Sequence, residues 1–342
     1  MSNATIAAAM PRMAAVFRDT PHAEFLTKLI LTTPALMIVL CAPLAGAWID
    51  RFGRVRFLQA NLVLYGFAGA AAYVLDDLTH ILAARAVLGI AVAGIMTTTS
   101  TLLGDYFSGE ERVRFAGTQS LFMSLGGVVF IGAGGVLAEV SWRMPFLIYL
   151  SAWLVLVPAL LHLPEPQRHR HASLHEPDRA APVGALALAY FLIYFCLVMF
   201  YMTPVQIPFL LRDRGIDSSL AAAGPIVMGS LASAVSALLL PRLRRAMGYV
   251  TIYAGSMFFV ALGYVVIYAS DTYWPVVVGA AVTGLGVGVI FPNSGLWVTA
   301  LSPSRLRGRL LGLMTAAVFL GQFSSPILVQ PSVSAFGLSR TF

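Results

Sequence analysis

Arg85 stands in the run HILAARAVLGIAVAG, with no other charged residue between His80 and Asp105. A guanidinium inside so apolar a stretch is costly enough in lipid to mark a working position by default. It can meet an anionic solute or pair with an acid on a first helix that these runs do not include; the plainer reading is an anchor that snorkels to the nearer interface. It is read as the only Lys, Arg, Asp or Glu well inside an apolar run, so no carboxylate of these runs is expected to pair with it. The second constellation is GAWIDRFGRVR, Gly46 to Arg56. Gly46 would let its helix approach a neighbour closely, and Gly53 permits a tight turn. Asp50 can sit at a neighbouring helix N-terminus, where negative charge is favoured, and Arg54 can reach Asp105 at the end of another helix. Arg51 and Arg56 complete the basic turn. A turn that served only to fix topology would not need Gly and Asp at these places.

A third feature is the density of glycine at Gly126, Gly127, Gly132, Gly134 and Gly135, which allows close packing and bending of a helix. Polar side chains among apolar ones supply candidate cavity groups: Gln119, Tyr190, Tyr194, Tyr201, Thr203, Gln206, Asn293 and Gln322, with Thr97 to Thr101. For any single one, packing between helices is the simpler role. Pro204, Pro208 and Pro292 can interrupt helices where a cavity supplies partners for the freed carbonyls.

Other chemistry is argued against. His169, His171 and His175 have no Cys or carboxylate completing a ligand set at fixed helical spacing, so neither a metal site nor a cofactor is expected. GLGVGV, Gly284 to Val289, has the glycines of a dinucleotide loop but not its strand context. An intramembrane hydrolase needs paired carboxylates, a Ser and His pair or an H-E-x-x-H helix at membrane depth. No His lies in the middle of an apolar run, so the chain is not read as an enzyme. Cys41 and Cys196 fall inside apolar runs, where cysteine behaves as a small hydrophobe.

The elements that must carry these groups follow from composition. Of 342 residues 58% are apolar and 11% charged, against about 25% charged in a soluble protein; the solvent is lipid. A span needs about 20 apolar residues, and backbone groups in lipid must bond internally, which makes each span a helix. Helices are predicted near 26 to 49, 57 to 75, 80 to 104, 115 to 138 and 144 to 163, then near 184 to 210, 219 to 241, 250 to 269, 273 to 300 and 310 to 331. The Pro-, Arg- and His-rich segment between the sets is a linker, giving an N-terminal bundle at 1–163, a linker at 164–183 and a C-terminal bundle at 184–342. The expected fold is an all-α integral membrane protein of two pseudo-symmetric six-helix-type bundles, about ten spans being present.

Formal charge is +7, and the basic residues cluster in alternate gaps, which is a topology signal and not a nucleic-acid patch. One set of gaps holds Arg51, Arg54 and Arg56; Arg112 and Arg114; Arg168, Arg170 and Arg179; Arg242, Arg244 and Arg245; and Arg305, Arg307 and Arg309. The other holds half as many, with Asp76, Asp77, Asp213, Asp217 and Asp271. By the positive-inside rule the first set and the central linker are cytoplasmic, in a multi-pass protein of the inner (plasma) membrane. Both ends then lie outside. The opening residues, interrupted by Pro11 and Arg12, do not read as a signal peptide; they read as the outer end of a further helix, and SAFGLSRTF stops where another could begin. The halves also echo one another: Gly104 to Ser120 with Leu301 to Met314, and Asp50 to Arg56 with Pro241 to Tyr249. Repeated halves around a central cavity are a usual transporter construction.

At Gly46, Asp50, Arg51, Gly53, Arg54 and Arg56 the chain resembles the major facilitator superfamily, whose loop between helices 2 and 3 reads G-x-x-x-D-[RK]-x-G-[RK]-x-[RK]. The resemblance extends over nearly the whole chain, numbers its ten helices 2 to 11, and implies that most of helices 1 and 12 are lacking. It implies a drug/proton antiporter-like secondary carrier: a small organic solute moved by alternating access, a proton as coupling ion, and a monomer in the bilayer. It gives Asp50, Arg54 and Asp105 the role of a cytoplasmic latch, and matches Arg85 to the helix 4 arginine implicated in proton coupling. Antiporters of the family carry G-P-x-x-G-G in helix 5; Gly134 and Gly135 end that motif here, with Gly127 nearby, but Phe130 and Ile131 replace its Gly and Pro. Import or facilitated exchange, or a sensor on the same fold, stays open beside efflux.

Overall fold

The computed structural model describes residues 2–107, 109–166, 182–303, 306–338 and 341–342. They are helical throughout, and no strand occurs among them. A 3-10 segment, Ser2–Ala9, leads into α1 (Met10–Val16); then follow α2 (Ala23–Phe52), α3 (Arg54–Ala70), α4 (Leu78–Tyr106) and α5 (Gly109–Val140). A second 3-10 segment, Met144–Ser151, runs into α6 (Ala152–His162). After the linker come α7 (Val183–Asp213), α8 (Ser219–Ala246), α9 (Tyr249–Tyr268), α10 (Tyr273–Gly288), α11 (Ile290–Leu301) and α12 (Arg307–Phe336). The chain divides into two compact units, Met1–Ala172 and Ser173–Phe342.

Among the described residues eight stretches are long and apolar enough to cross a membrane, where the sequence suggests about ten. The two that fall short are helices all the same. α3 has 17 residues, and α5 opens on Glu110, Glu111, Arg112 and Arg114, so that its apolar part is only Leu125–Val140. The expected helix 273 to 300 is divided after Gly288. Pro292 has no N–H to give the Gly288 carbonyl, and its ring crowds that turn, so the helical path is interrupted at Val289.

Helix association in lipid gains nothing from expelling water, so it relies on close packing. In the second unit α10 lies against α8 and α9 along a seam where main chain meets main chain. A methyl on Gly284 would run into the Gly229 carbonyl, and one on Gly263 would sit 2.5 Å from the Gly279 carbonyl. In the first unit α2 and α4 approach similarly: a methyl on Gly89 would lie 2.6 Å from the Pro34 carbonyl. Asp77 caps the start of α4, accepting from the N–H groups of Thr79 (2.7 Å) and His80 (3.1 Å). The His80 N–H foremost holds the Asp77 carboxyl below its usual range.

The seam predicts an asymmetry. Gly284→Ala is expected to cost about 1–3 kcal/mol by overpacking. Gly255→Ala, whose methyl meets nothing within 4 Å, is expected to be neutral or to stabilise by up to about 1 kcal/mol. Thermal unfolding in detergent compares them; equal midpoints would show that the seam does not hold α10.

Candidate functional site

At one end of the first unit the chain reverses between α2 and α3 at Gly53, whose φ of +89° disfavours any side chain. A methyl there would also lie 3.0 Å from the Glu165 carboxylate. The next residue, Arg54, is held twice. Its Nε donates to Asp105 Oδ2 at 2.9 Å, with both side chains largely buried. Its backbone N–H donates to Glu165 Oε1 at 2.5 Å, while Val55 N–H donates to Oε2 at 2.9 Å. Glu165 therefore places both carboxylate oxygens on the free N–H groups that open α3, where the helix dipole also favours negative charge. Tyr106 adds a hydrogen bond from its hydroxyl to the Pro164 carbonyl. The start of α3, the end of α4 and the segment leaving α6 are thus tied at one point.

Sequence reasoning found Gly53, Arg54 and Asp105 but missed Glu165. The signal available was an acid in LPEP immediately after an apolar run, a position able to reach a helix start. Arg51 and Arg56 are exposed. Asp50 lies in the last turn of α2, its side chain outside the described residues. The packing role expected of Gly46 is corrected: a methyl there meets nothing within 4 Å, because Ala45 and Ile49 form the buried face of this turn.

In the same unit, two turns into α4, Arg85 is buried to 1% exposure. Its guanidinium carbon lies 4.6 Å from the Phe146 ring centroid and 4.8 Å from that of Tyr149. Both rings come from the 3-10 segment before α6, and a cation over an aromatic face is attracted by the ring quadrupole. The snorkelling anchor is corrected accordingly: the charge is turned into protein. Arg85 is also not alone. Lys28, at 0% exposure, donates to Glu24 at 2.6 Å. The Lys28 position was underread because α2 begins at Ala23, a turn before charge counting opens the span; the Glu24 and Lys28 spacing of four was the visible clue.

On α5, Gly134 is the glycine in tight contact: a methyl would strike the Thr5 carbonyl of the first 3-10 segment, whereas one on Gly132 would meet nothing. Gly127 and Gly135 are buried. Of the candidate cavity residues, Gln119 belongs to the first unit and the others to the second. Gln119 is half-buried on α5; Tyr194 and Tyr201 are half-buried on α7. Gln206, Asn293 and Gln322 are buried in the second unit, and Asn293 Nδ2 donates to the Tyr249 carbonyl at 3.1 Å, a bond between helices. A cavity of about 220 Å³ does lie in the first unit, lined by α2, α3 and α4 residues including Cys41, Trp48, Phe57 and Asn61. The linker histidines lie outside the described residues.

The sequence matches the Major Facilitator Superfamily model over residues 1–326. It is 28% identical to the 3-(3-hydroxy-phenyl)propionate transporter of Escherichia coli (strain K12), over 84% of this chain and 72% of that protein. It is 21% identical to the quinolone resistance protein NorA of Staphylococcus aureus (strain MRSA252), over 88% of this chain and 79% of that one. Against the first curated relatives it matches, such as the bacillibactin exporter of Bacillus subtilis (strain 168), the alignment spans about a third of their length. Among solved structures, the D-xylose-proton symporter superposes with a TM-score of 0.76 at 15% identity, over 99% of this chain and 91% of that one.

Two outcomes test the inner tie. In a double-mutant cycle of Arg54→Gln and Asp105→Asn, the coupling is expected to reach about 1 kcal/mol or more; additive effects would show that the pair contributes nothing. Glu165→Gln turns an amide N–H toward one of two backbone donors and is expected to cost about 1 kcal/mol. Hydrogen exchange at Arg54 and Val55 should quicken, and unchanged protection would remove the cap.

Proposed function

Because the chain belongs to the Major Facilitator Superfamily, we propose that it is a secondary active carrier exporting a small organic solute by alternating access, with a proton as coupling ion. The observation that carries the reading is the inner tie. A basic anchor has no need of a carboxylate on a helix start and a second one on the neighbouring guanidinium, yet Arg54 has both. In this proposal Gly46, Asp50, Arg51, Gly53, Arg54, Arg56 and Asp105 form the latch, with Glu165 as its added member. Partial burial makes the Arg54 to Asp105 pair sensitive: removing one partner strands the other in a poorly solvated place, so the tie holds the start of α3 and the end of α4 in one preferred arrangement.

Efflux is supported by relatives named as an exporter and a resistance protein, and the proton by a structural neighbour named as a proton symporter. Gln119, Tyr194, Tyr201, Gln206, Asn293 and Gln322 remain candidate solute contacts, and Gly127, Gly134 and Gly135 a packing and bending motif. The proposed setting is the plasma membrane, as a monomer, with the central linker cytoplasmic. Import or exchange is the second reading, favoured by Phe130 and Ile131 in place of Gly-Pro and by a relative named as a transporter of an aryl propionate.

Transport by inverted vesicles carrying the chain, with a panel of amphipathic compounds, tests the proposal. Accumulation is expected to stop when the proton gradient is collapsed, and Asp105→Asn is expected to slow it about tenfold, the effect of some 1.4 kcal/mol on a barrier. Unchanged accumulation without the gradient would reject proton coupling, and movement of no compound would reject the carrier.

A further inference from the structure

The cavity of about 220 Å³ in the first unit is a crevice with a floor and two walls. α4 packs against both α2 and α3, while α2 and α3 touch each other little, and the gap between them is the crevice. Gly94 of α4 lies on the floor; Cys41, Ala45 and Trp48 form one wall, and Phe57, Ala60 and Leu64 the other. Each wall follows one face of its helix for about 10 Å at about 1.5 Å per residue, so the space is elongated along the helix axes. Its lining is apolar apart from Asn61, which is 6% exposed and turned to its own helix, Nδ2 donating to the Phe57 carbonyl at 2.8 Å. A cysteine thiol in such company behaves as a small hydrophobe. The lining therefore suits an alkyl chain rather than a charged group.

The end of the crevice next to the Gly53 turn has a different character. There the Trp48 and Phe57 rings meet at 6.3 Å between centroids, and one helical turn beyond the rim stand two arginines. Arg51 is three residues after Trp48 and Arg56 four before Ala60, spacings that place each arginine on the same helix face as its rim residue. Both arginines are exposed, as are Trp48 and Ala60. Two nearby carboxylates are committed elsewhere, Asp105 to Arg54 and Glu165 to the N–H groups of Arg54 and Val55. The Asp50 side chain, on the same turn, lies outside the described residues. An apolar slot parallel to the helices and headed by two guanidinium groups has the shape and charge to receive an acidic lipid. Guanidinium matches phosphate oxygens two at a time, and basic pockets between spanning helices recognise anionic head groups.

We propose that this crevice is a site for one anionic phospholipid, with an acyl chain in the slot and the phosphate held by Arg51 and Arg56. The acyl chain supplies apolar contact that any phospholipid can supply; the two arginines select the head group. A seated lipid fills the space that α2 and α3 leave open and braces the turn between them. The site goes beyond the carrier reading and is independent of which solute moves.

Tryptophan fluorescence of the purified protein in detergent tests the site, with phosphatidylglycerol and phosphatidylcholine carrying brominated acyl chains as probes, since bromine quenches an indole only at short range. The protein has five tryptophans, and Trp48→Phe identifies the share that belongs to the crevice. Phosphatidylglycerol is expected to quench that share saturably at about one tenth of the concentration that phosphatidylcholine needs, and Trp48→Phe to lose it. Arg51→Gln combined with Arg56→Gln should bring the two lipids to equal potency. Ala60→Phe, which fills the slot from its exposed rim, should weaken both. Where the double variant does not fold, salt at about 1 M, which shrinks the Debye length to about 3 Å, stands in for it and should erase most of the preference. Equal potency of the two lipids on the unaltered protein, saturable quenching that survives Trp48→Phe, potency untouched by Ala60→Phe, or a preference kept without the arginines would overturn the site. So would inorganic phosphate displacing the probe as effectively as unbrominated phosphatidylglycerol does, which would mark an anion site in which the acyl chain has no part.

Discussion

Hydrocarbon offers a buried N–H or C=O no partner, and this governs the chain more than any side-chain preference. It makes the apolar runs helical along their whole length, and it removes the ordinary reason for helices to associate, since a leucine is as well placed beside a lipid tail as beside another leucine. What remains is contact at short range. The glycines at 229, 263, 279 and 284 in one unit, and Gly89 in the other, let backbones approach to distances that a methyl group would prevent. Some of the buried charges in this setting are answered locally by acids, as Lys28 is by Glu24 and Arg54 by Asp105.

The same constraint divides the first unit into an inner and an outer end with different characters. At the inner end a single residue serves two carboxylates, through its main chain and its side chain, and so joins three elements at the turn made by Gly53. At the outer end arginines fasten helix ends as well as acids. Arg12 donates to the Ala138 and Glu139 carbonyls, and Arg143 to those of Tyr73 and Leu75. Guanidinium suits both tasks because its five donors can serve several acceptors at once, which fits a chain in which all but one of its Lys and Arg residues are Arg.

Much of the architecture was legible because lipid burial writes itself as run length. The ten windows read from apolar runs correspond to helices, and the turn at Gly53 and the reach of Arg54 to Asp105 follow from residue type and position. The ends were less legible: α5 runs back to Gly109 through Glu110 and Glu111, six residues before its predicted start at 115, and α2 begins at Ala23, three residues before its predicted start at 26. Helices continue into the polar interface, where charged side chains are solvated. Glu165 was hidden for another reason. Its partners are main-chain N–H groups more than a hundred residues away, and those carry no sequence signature. Gly46 misled in the opposite direction, since small size permits close approach without requiring it. Of the polar residues in α7, α11 and α12, Gln206, Asn293 and Gln322 are buried in the second unit, and Asn293 bridges two helices.

The glycine seam of the second unit bears on how that unit can move. Interfaces built of interdigitated side chains are corrugated, so that a helix displaced along its neighbour must lift each knob out of its hole before settling again. Where Gly284 faces Gly229 and Gly263 faces Gly279, main chain meets main chain, with the Thr283 and Ile267 side chains seated beside the contact. α10 is therefore held against α8 and α9 at main-chain distance, and a lengthwise shift of that helix would have to carry the Thr283 side chain past Gly263 and Gly279 past the Ile267 side chain.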